Sequence, residues 1–423
     1  MIATSLTSHS LKNGTAHDHA IVIGGSVAGL TTARVLTDHF ARVTIVERDH
    51  LPDTPEFRRG APQALHAHLL LPQGQAILEQ QFPGLIAELS AQGATLINNE
   101  QETQEADDGT WFNDILSLSC SRPLLEAALY RRLTINPQVH FVQEHEVAHL
   151  QIDRSGTRVT GVHVRSRHGS STSGIELAAD LVVDTTGRAS RAPDWLAGLG
   201  YTPPAETTVN PFSGYTSRIY RRLPEFTESW KMMRIRRTPP DRIRGGMIVP
   251  LEGGRWHVTI VGMVHDYPPN DETGFLAFAR SLPSRRLYET IIEAEPLTPT
   301  YSYRGTKNRL RHYEKLPRYL EGFLVSGDAV CALSPVHALG MTAAAIGSQT
   351  LAHCLAERPR HTDITGLART FQRRLRRGID AIWQKVTDSD RSWPGSETVE
   401  ELIPPKFLRK SYREIRNGSY AYL

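Results

Sequence analysis

Three stretches of this chain carry residue types whose spacing implies chemistry. The first is Gly24-Gly25-Ser26-Val27-Ala28-Gly29, set between an apolar run ending at Ile23 and a helix-like segment. A tight turn at Gly24, close helix–strand packing at Gly29 and a helix N-terminus with free N–H groups make a seat for a pyrophosphate. Glu47 closes the next apolar run, 23 residues after Gly24 (47 − 24), where a carboxylate reaches the hydroxyls of a ribose. Arg48 adjoins it as a further candidate contact. The middle glycine of the G-x-G-x-x-G pattern is Ser26, a small residue whose hydroxyl can donate to a phosphate. The second and third stretches are Asp184-Thr-Thr-Gly187-Arg188 and Gly327-Asp328-Ala329, each an apolar strand running into a turn that holds an acid. Taken singly, each is also consistent with a plain structural turn. His66 and His68 flank Ala67 with nothing nearby to complete a metal set, so no metal is expected. No Ser-His-Asp spacing for nucleophilic catalysis is present.

The elements that position these residues follow from the apolar pattern. Helices are expected around 71–81 and 85–92, separated by Pro83-Gly84. Another begins at Ser121 as N-cap, with proline in its first turn. Strands are expected over 139–150, 157–165 and 175–183, and again at 246–250 and 256–264. The texture from 201 to 320 is one of alternating strands with proline-rich connections, the mark of a separate inserted sheet. From about Gly366 the chain reads as helical, with Arg373, Arg374, Arg376 and Arg377 on a solvated face. Residues 1–18 are polar and lack a signal-peptide core, which reads as a mobile tail and a cytoplasmic chain. A length of 423 residues allows two or three domains, and a net charge of +3 without a basic run argues against nucleic acid. The three cysteines, Cys120, Cys331 and Cys354, are too scattered for a disulfide framework. The most apolar stretch, 329–346, contains Pro335 and His337 and is not expected to span a membrane.

In the order glycine fingerprint, Asp-x-x-Gly-Arg, Gly-Asp, the three stretches resemble the flavoprotein hydroxylase superfamily whose prototype is p-hydroxybenzoate hydroxylase. The resemblance runs from Ala20 to about Pro394. Its nearest look is to bacterial FAD-dependent monooxygenases of secondary metabolism, including polyether epoxidases. That likeness lies in Arg59-Gly-Ala-Pro-Gln63-Ala-Leu-His66-Ala-His68, Ser121-Arg122-Pro-Leu-Leu-Glu, Glu252-Gly-Gly-Arg-Trp and Gly327-Asp-Ala-Val-Cys. It implies an α/β fold: a Rossmann-type, GR2-like FAD-binding domain with an inserted, mostly antiparallel substrate sheet and a C-terminal helical segment. The expected division is 19–70, 115–200 and 321–356 for FAD, 71–114 and 201–320 for substrate, and 357–423 for the helical end. By the same resemblance Asp184 and Gly187 close over the pyrophosphate, and Asp328 meets the ribityl chain. Pro335, Gly340 and Met341 bring a helix N-terminus to the flavin pyrimidine, where it stabilises the negative charge of a reduced flavin. Arg59 and Arg122 reach the phosphates or ribityl chain, and the backbone at Val147 meets the adenine.

The implied reaction is hydroxylation or epoxidation of a small apolar or aromatic substrate by O2 through a flavin C4a-hydroperoxide. Electrons come from transiently bound NAD(P)H or from a separate flavin reductase, since no second glycine fingerprint is present. Pocket candidates are Tyr215, Arg218, Met247 and His257 from the inserted sheet. One departure matters here: relatives carry Pro-x-Tyr-Gly-Gln-Gly-Met, whereas this chain reads Pro335-Val-His337-Ala338-Leu339-Gly340-Met341. Three readings of His337 stand: an acid/base or substrate-contacting group, a packing replacement for tyrosine, or a sign of altered oxygen chemistry. The competing functions are a prenyl-reductase-type FAD enzyme and a flavoprotein that uses FAD structurally for a cyclisation. The halogenase lysine and its Trp-x-Trp-x-Ile-Pro segment are both missing, which argues against halogenation.

Overall fold

The computed structural model describes residues 18–98, 103–105, 116–167, 174–226, 230–358 and 364–401. Most of the polar tail expected at the N-terminus, and the chain after Glu401, lie outside them. Five short apolar runs form one parallel sheet, in the order Phe323–Val325, Leu181–Asp184, His19–Ile23, Arg42–Val46, Val139–Val142. Nearly every residue of the three central strands is buried, as a sheet covered on both faces requires. The register aligns Ile23 with Asp184 and with Val46, and Asp184 with Val325. All three motifs therefore leave the sheet at the carboxyl ends of neighbouring strands, where ligands of open α/β sheets lie.

The helices around this sheet are Val27–Leu36, Arg122–Thr134, Gly340–Ala356 and Leu367–Arg391. Ser121 caps the second as expected, its Oγ accepting from the Leu124 N–H at 3.2 Å. The strand expected over 175–183 is two strands in two sheets. Ile175–Ala178 pairs with Val159–Ser166 in a three-stranded antiparallel layer, whereas Leu181–Asp184 joins the parallel sheet. The break falls where the Asp180 carboxylate turns to accept from the backbone N–H of His19 at 3.1 Å.

The inserted region builds a six-stranded sheet in the order Tyr301–Tyr303, Gly214–Arg221, Arg255–Gly262, Arg244–Leu251, Met232–Ile235, Thr103–Glu105. Helices Glu272–Arg280 and Arg286–Ile291 cover one face, burying Trp256, Val258, Ile260, Phe275 and Leu287 in one cluster. Full burial of Phe275 makes a Phe275→Ala change cost about 3–5 kcal/mol. A second, four-stranded sheet runs Cys331–Ala332, Asn308–Arg311, Glu206–Asn210, Glu397–Glu401. The last of these strands corrects the reading of the C-terminal region as helical throughout. No helix among the described residues is long and apolar enough to cross a membrane.

Candidate active site

At the dinucleotide end, glycine is required by contact. A Cβ on Gly29 would stand 1.7 Å from the Gly24 carbonyl oxygen, and Gly24 itself has φ +105°. Gly327, with φ +63°, lets the third motif touch the fingerprint helix, since a Cβ there would lie 2.9 Å from Ala28 Cβ. Gly187, at φ +74°, presents the second motif to Asp328, with 3.8 Å between a Cβ placed on Gly187 and Asp328 Cβ. Three motifs distant in sequence thus meet around the start of one helix. The first N–H groups of that helix have no intrahelical acceptor, which is what a pyrophosphate seat needs.

The charged groups around this start form a buried cluster. Glu47 accepts from Gly25 N–H at 2.5 Å and from Asp49 N–H at 3.0 Å. The Ser26 hydroxyl donates to Glu126 at 2.6 Å and accepts from Arg122 at 2.8 Å. Arg122 also donates to Glu126 at 2.7 Å, and Arg58 donates to it at 2.9 Å. Burial alone would raise the Glu126 pKa, but Arg122, Arg58 and Ser26 hold it down to about 2. Arg48 and Arg59 are exposed, and the arginine that enters the cluster is Arg58. Arg58 forks toward Glu126 while its other end lies 3.5 Å from both Glu47 and Asp49. Val147 is buried on strand His145–Ile152, opposite Val164.

The two acids of the later motifs are used differently. Asp184 is fully buried, and its carboxylate accepts from Thr186 N–H at 2.9 Å, Thr186 Oγ1 at 2.6 Å and Ser190 Oγ at 2.6 Å. Those oxygens shape the turn that the resemblance expects to close over the pyrophosphate. Asp328 has no hydrogen-bond donor among the described residues, and burial raises its pKa despite Arg188 and Arg122. Its Oδ1 lies 4.0 Å from a Cβ placed on Gly340, the first residue of a 17-residue helix. An unpartnered carboxylate beside a helix N-terminus fits a polyhydroxylated chain leading to an electron-rich ring. FAD supplies both, so the residues present fit that cofactor.

The open face of the six-stranded sheet packs against the loop 335–339, the zone where the expected substrate chamber would lie. Cross-strand partners share a face, and the register pairs Tyr215 with Val261, Ser217 with Thr259, Met247 with Thr259 and Val249 with His257. Tyr215, Val261 and Met263 pack with Tyr303 and Val336, while Leu69, Met232 and Val249 pack with Met247, Ala338 and Leu339. His66 reaches into this face from the loop before Leu69. Its Nδ1 is 2.9 Å from Ser217 Oγ, which is 2.8 Å from Thr259 Oγ1, and its ring meets Tyr215 edge-on at 4.6 Å. His68 and His257 are held by the carbonyls of Gln63 at 2.8 Å and Leu65 at 3.2 Å. Burial lowers all three histidines, His66 and His257 to about 3 and His68 to about 4, so each is neutral at physiological pH.

The chain's sequence relatives bear on this geometry directly. Residues 18–385 match the family described as FAD binding domain. The chain belongs to this FAD-binding family. A Mycobacterium tuberculosis protein, Rv3254, is 32% identical over 407 residues, covering 94% of this chain and 84% of that one. The 6-methylpretetramide 4-monooxygenase of Streptomyces rimosus is 29% identical over 237 residues, 48% of this chain and 51% of its own. The fold is shared with p-nitrophenol 4-monooxygenase of Pseudomonas putida DLL-E4, at TM-score 0.63 and 17% identity, covering 96% and 95% of the two chains. It is shared as well with CmlS, a flavin-dependent halogenase, at TM-score 0.64 and 18% identity, covering 94% and 70%.

Two of the expected substrate-side residues are engaged by protein partners. Arg218 alternates to the helix-covered face, where it donates to the Thr298 carbonyl at 2.8 Å and pairs with Glu272 at 3.1 Å. Odd-numbered positions of that strand face the chamber and even-numbered ones do not, so Tyr215 qualifies and Arg218 does not. His337 is tied to the C-terminal helix, its Nε2 lying 2.8 Å from Asp390 Oδ1. Asp390 Oδ2 accepts from Asn308 Nδ2 at 2.6 Å, and Asn308 Oδ1 accepts from Ser334 N–H at 2.6 Å. That chain of bonds clamps both ends of 334–337 while Ala338 takes φ +54°. Pro335 opens this loop, and Met341 is buried in the first turn of the following helix.

Sequence reasoning missed Arg58, Glu126, Tyr303, Asn308 and Asp390. Glu126 had a readable signal, since it lies one helical turn after Arg122 (i, i+4) on the same face. Asp390 and Asn308 carried none.

Proposed function

We propose that this flavoprotein hydroxylates or epoxidises an apolar or aromatic small molecule with O2, taking electrons from transiently bound NAD(P)H or a separate flavin reductase. The observation that carries the reading is the chamber wall. Tyr215, Tyr303, His66, Met247 and Val249 face the loop 336–339, which leads into the Gly340 helix beside Asp328. Such a wall takes a flat apolar ring and leaves few places for water.

Bound FAD would supply the reduction of O2 and the oxygen transfer; the protein supplies position and a dry, shaped site. Asp328 and the Gly340 helix N-terminus would hold the ribityl and pyrimidine end, and the Gly24–Gly29 turn with Arg122 the pyrophosphate. Asp184 acts behind them by fixing the Thr186–Ser190 turn. His66 is kept neutral and oriented by Ser217, so it can exchange a hydrogen bond with a substrate hydroxyl without adding charge to the chamber. His337, anchored on Asp390, supports the reading of a loop-positioning residue.

The test is turnover of apolar aromatic candidates with NAD(P)H, in air and under argon. The reading expects product only in air, with loss of about one O2 per product. Product formed equally under argon would favour the reductase class. Product formed with FAD kept oxidised would favour a non-redox cyclisation.

A further inference from the structure

Among the described residues, five that are not glycine hold a left-handed backbone. Four of them, Phe212, Val264, His265 and Ala338, stand in segments that border the chamber. Strain of this kind persists only where the surroundings over-determine it, and it gathers at clamps and switches. Val264 and His265 are the two central residues of one turn, Met263–Asp266, closed by the Asp266 N–H donating to the Met263 carbonyl at 3.0 Å. Positive φ at both centres, +56° and +66°, marks a type I′ turn, whose favoured pair is Asn-Gly. A β-branched valine is badly suited to the first of those places.

The turn is anchored on one side. The Met263 N–H donates to the Ile243 carbonyl at 3.1 Å, Val264 N–H to the Pro211 carbonyl at 3.3 Å and His265 N–H to the Phe212 carbonyl at 3.0 Å. The His265 ring stacks on Phe212 at 4.1 Å, and Asp266 accepts from Arg244 at 2.6 and 2.9 Å. These ties run back to the turn's own sheet and to the connections entering it. On its other side Val264 packs against the cluster of Tyr215, Val261, Met263 and Trp393, as Val336 of the loop 335–339 also does. Among the described residues no hydrogen bond joins 263–266 to 335–338 or to Trp393, so the turn meets them through apolar contact. Val264 and Val336 are only partly buried, which puts their seam at the surface, whereas Met263 behind it is 1% exposed.

We propose that the turn Met263–Asp266 is a sprung gate at this end of the chamber. The seam of Val264 with Val336 and Trp393 parts, the backbone at 264–265 leaves the left-handed region, and a small apolar molecule passes. Two opposed effects set the balance. Apolar packing closes the seam, and release of strain at Val264 and His265 favours opening, so the closed state is shallow and the open one is visited. An apolar seam admits an apolar guest and gives an ion no partner during passage. The gate rests on the chamber being the substrate site and specifies how that site is reached.

The experiment is oxidation of the FAD-loaded protein by dilute hydrogen peroxide, with the initial rate of sulfoxide formation read at each methionine by peptide mass. Met263 at 1% exposure and Met233 at 2% are equally buried, and Met233 lies under the helices on the closed face of the same sheet. The proposal expects Met263 of wild type to oxidise at least about tenfold faster than Met233, because only Met263 sits behind a gate. Val336→Ala should raise the Met263 rate by about threefold or more and leave Met233 within about twofold. Val264→Gly should melt above Val264→Ala, the reverse of the usual order, since both lack the valine and only glycine is unstrained there. Met263 should also oxidise about threefold or more slowly in Val264→Gly than in Val264→Ala. Equal wild-type rates at Met263 and Met233, or an unmoved Met263 rate in Val336→Ala, overturns the gate. Val264→Ala melting above Val264→Gly overturns it too, since no strain is then stored. If a Val264 variant does not fold, the wild-type and Val336→Ala rates decide. No turnover is read, so failure of the oxygenase reading and failure of the gate are separable.

Discussion

Gly29 and Ala338 stand at opposite ends of the cofactor seat and show two ways of fixing a backbone. At Gly29 the neighbouring carbonyl leaves no room for a Cβ, so one residue type alone is admitted. At Ala338 a Cβ is carried at φ +54°, a conformation costing roughly 1–2 kcal/mol, and a hydrogen-bonded clamp from His337 through Asp390 and Asn308 to Ser334 holds the loop there. The dinucleotide end is thus set by local contacts within short motifs. The chamber end is set by register between strands and by a helix some fifty residues further on. Substitutions at the first should abolish cofactor binding, and substitutions at the second should alter substrate handling while FAD stays bound.

The largest effect is expected at the dinucleotide end. Gly29→Val should leave a colourless protein, with FAD affinity down at least about 100-fold, because the side chain would enter the Gly24 carbonyl. Normal flavin absorbance in the purified variant would break the distinction. The two motif acids sharpen it. Asp328→Ala should weaken FAD about tenfold or more with little change in apoprotein melting temperature. Asp184→Ala should destabilise the apoprotein by about 2–3 kcal/mol, from the loss of three buried hydrogen bonds. Fluorescence titration with FAD and thermal melts separate the two, and a reversal of the pattern would contradict the assignment.

Across the sheet the contrast is between neighbouring alternation positions. Tyr215→Ala should lower kcat/KM for the substrate by about 10-fold to 100-fold, whereas Arg218→Met should change it by less than about threefold while FAD content stays normal in both. Equal losses would mean the register argument is wrong. The last contrast is one of pH. His66 and His257 protonate near pH 6.5 when unfolded but only near 3 when folded, so the unfolded chain binds more protons in between. Stability is therefore full above pH 6.5 and falls as pH drops, on the order of 1 kcal/mol per histidine for each pH unit. Denaturant melts from pH 7.5 to 5 should show this slope, and His257→Gln should reduce it. A slope unchanged in that variant would remove His257 from the account.

The fingerprint, the order of the three motifs and the parallel sheet were legible in the chain because each is a local constraint. An apolar strand, a glycine turn and a capped helix announce themselves over a dozen residues. The face occupied by Arg218 was not legible, because a period of two has a phase that only the pairing with Arg255–Gly262 sets. Arg58 and Arg59 are adjacent in a loop without periodicity, so nothing in the sequence says which one turns inward. Asp390 looked like one more acid on a charged helix, and its role depends on a strand and a loop that the fold brings to it.

The central claim is that this FAD site and its chamber carry out an oxygen transfer. The most direct measurement is mass spectrometry of the product formed by the FAD-loaded enzyme and NAD(P)H under 18O2 in ordinary water. The account predicts one labelled oxygen, a shift of about 2 mass units per product. Product that carries no label under 18O2, or acquires it from 18O-labelled water instead, would contradict it.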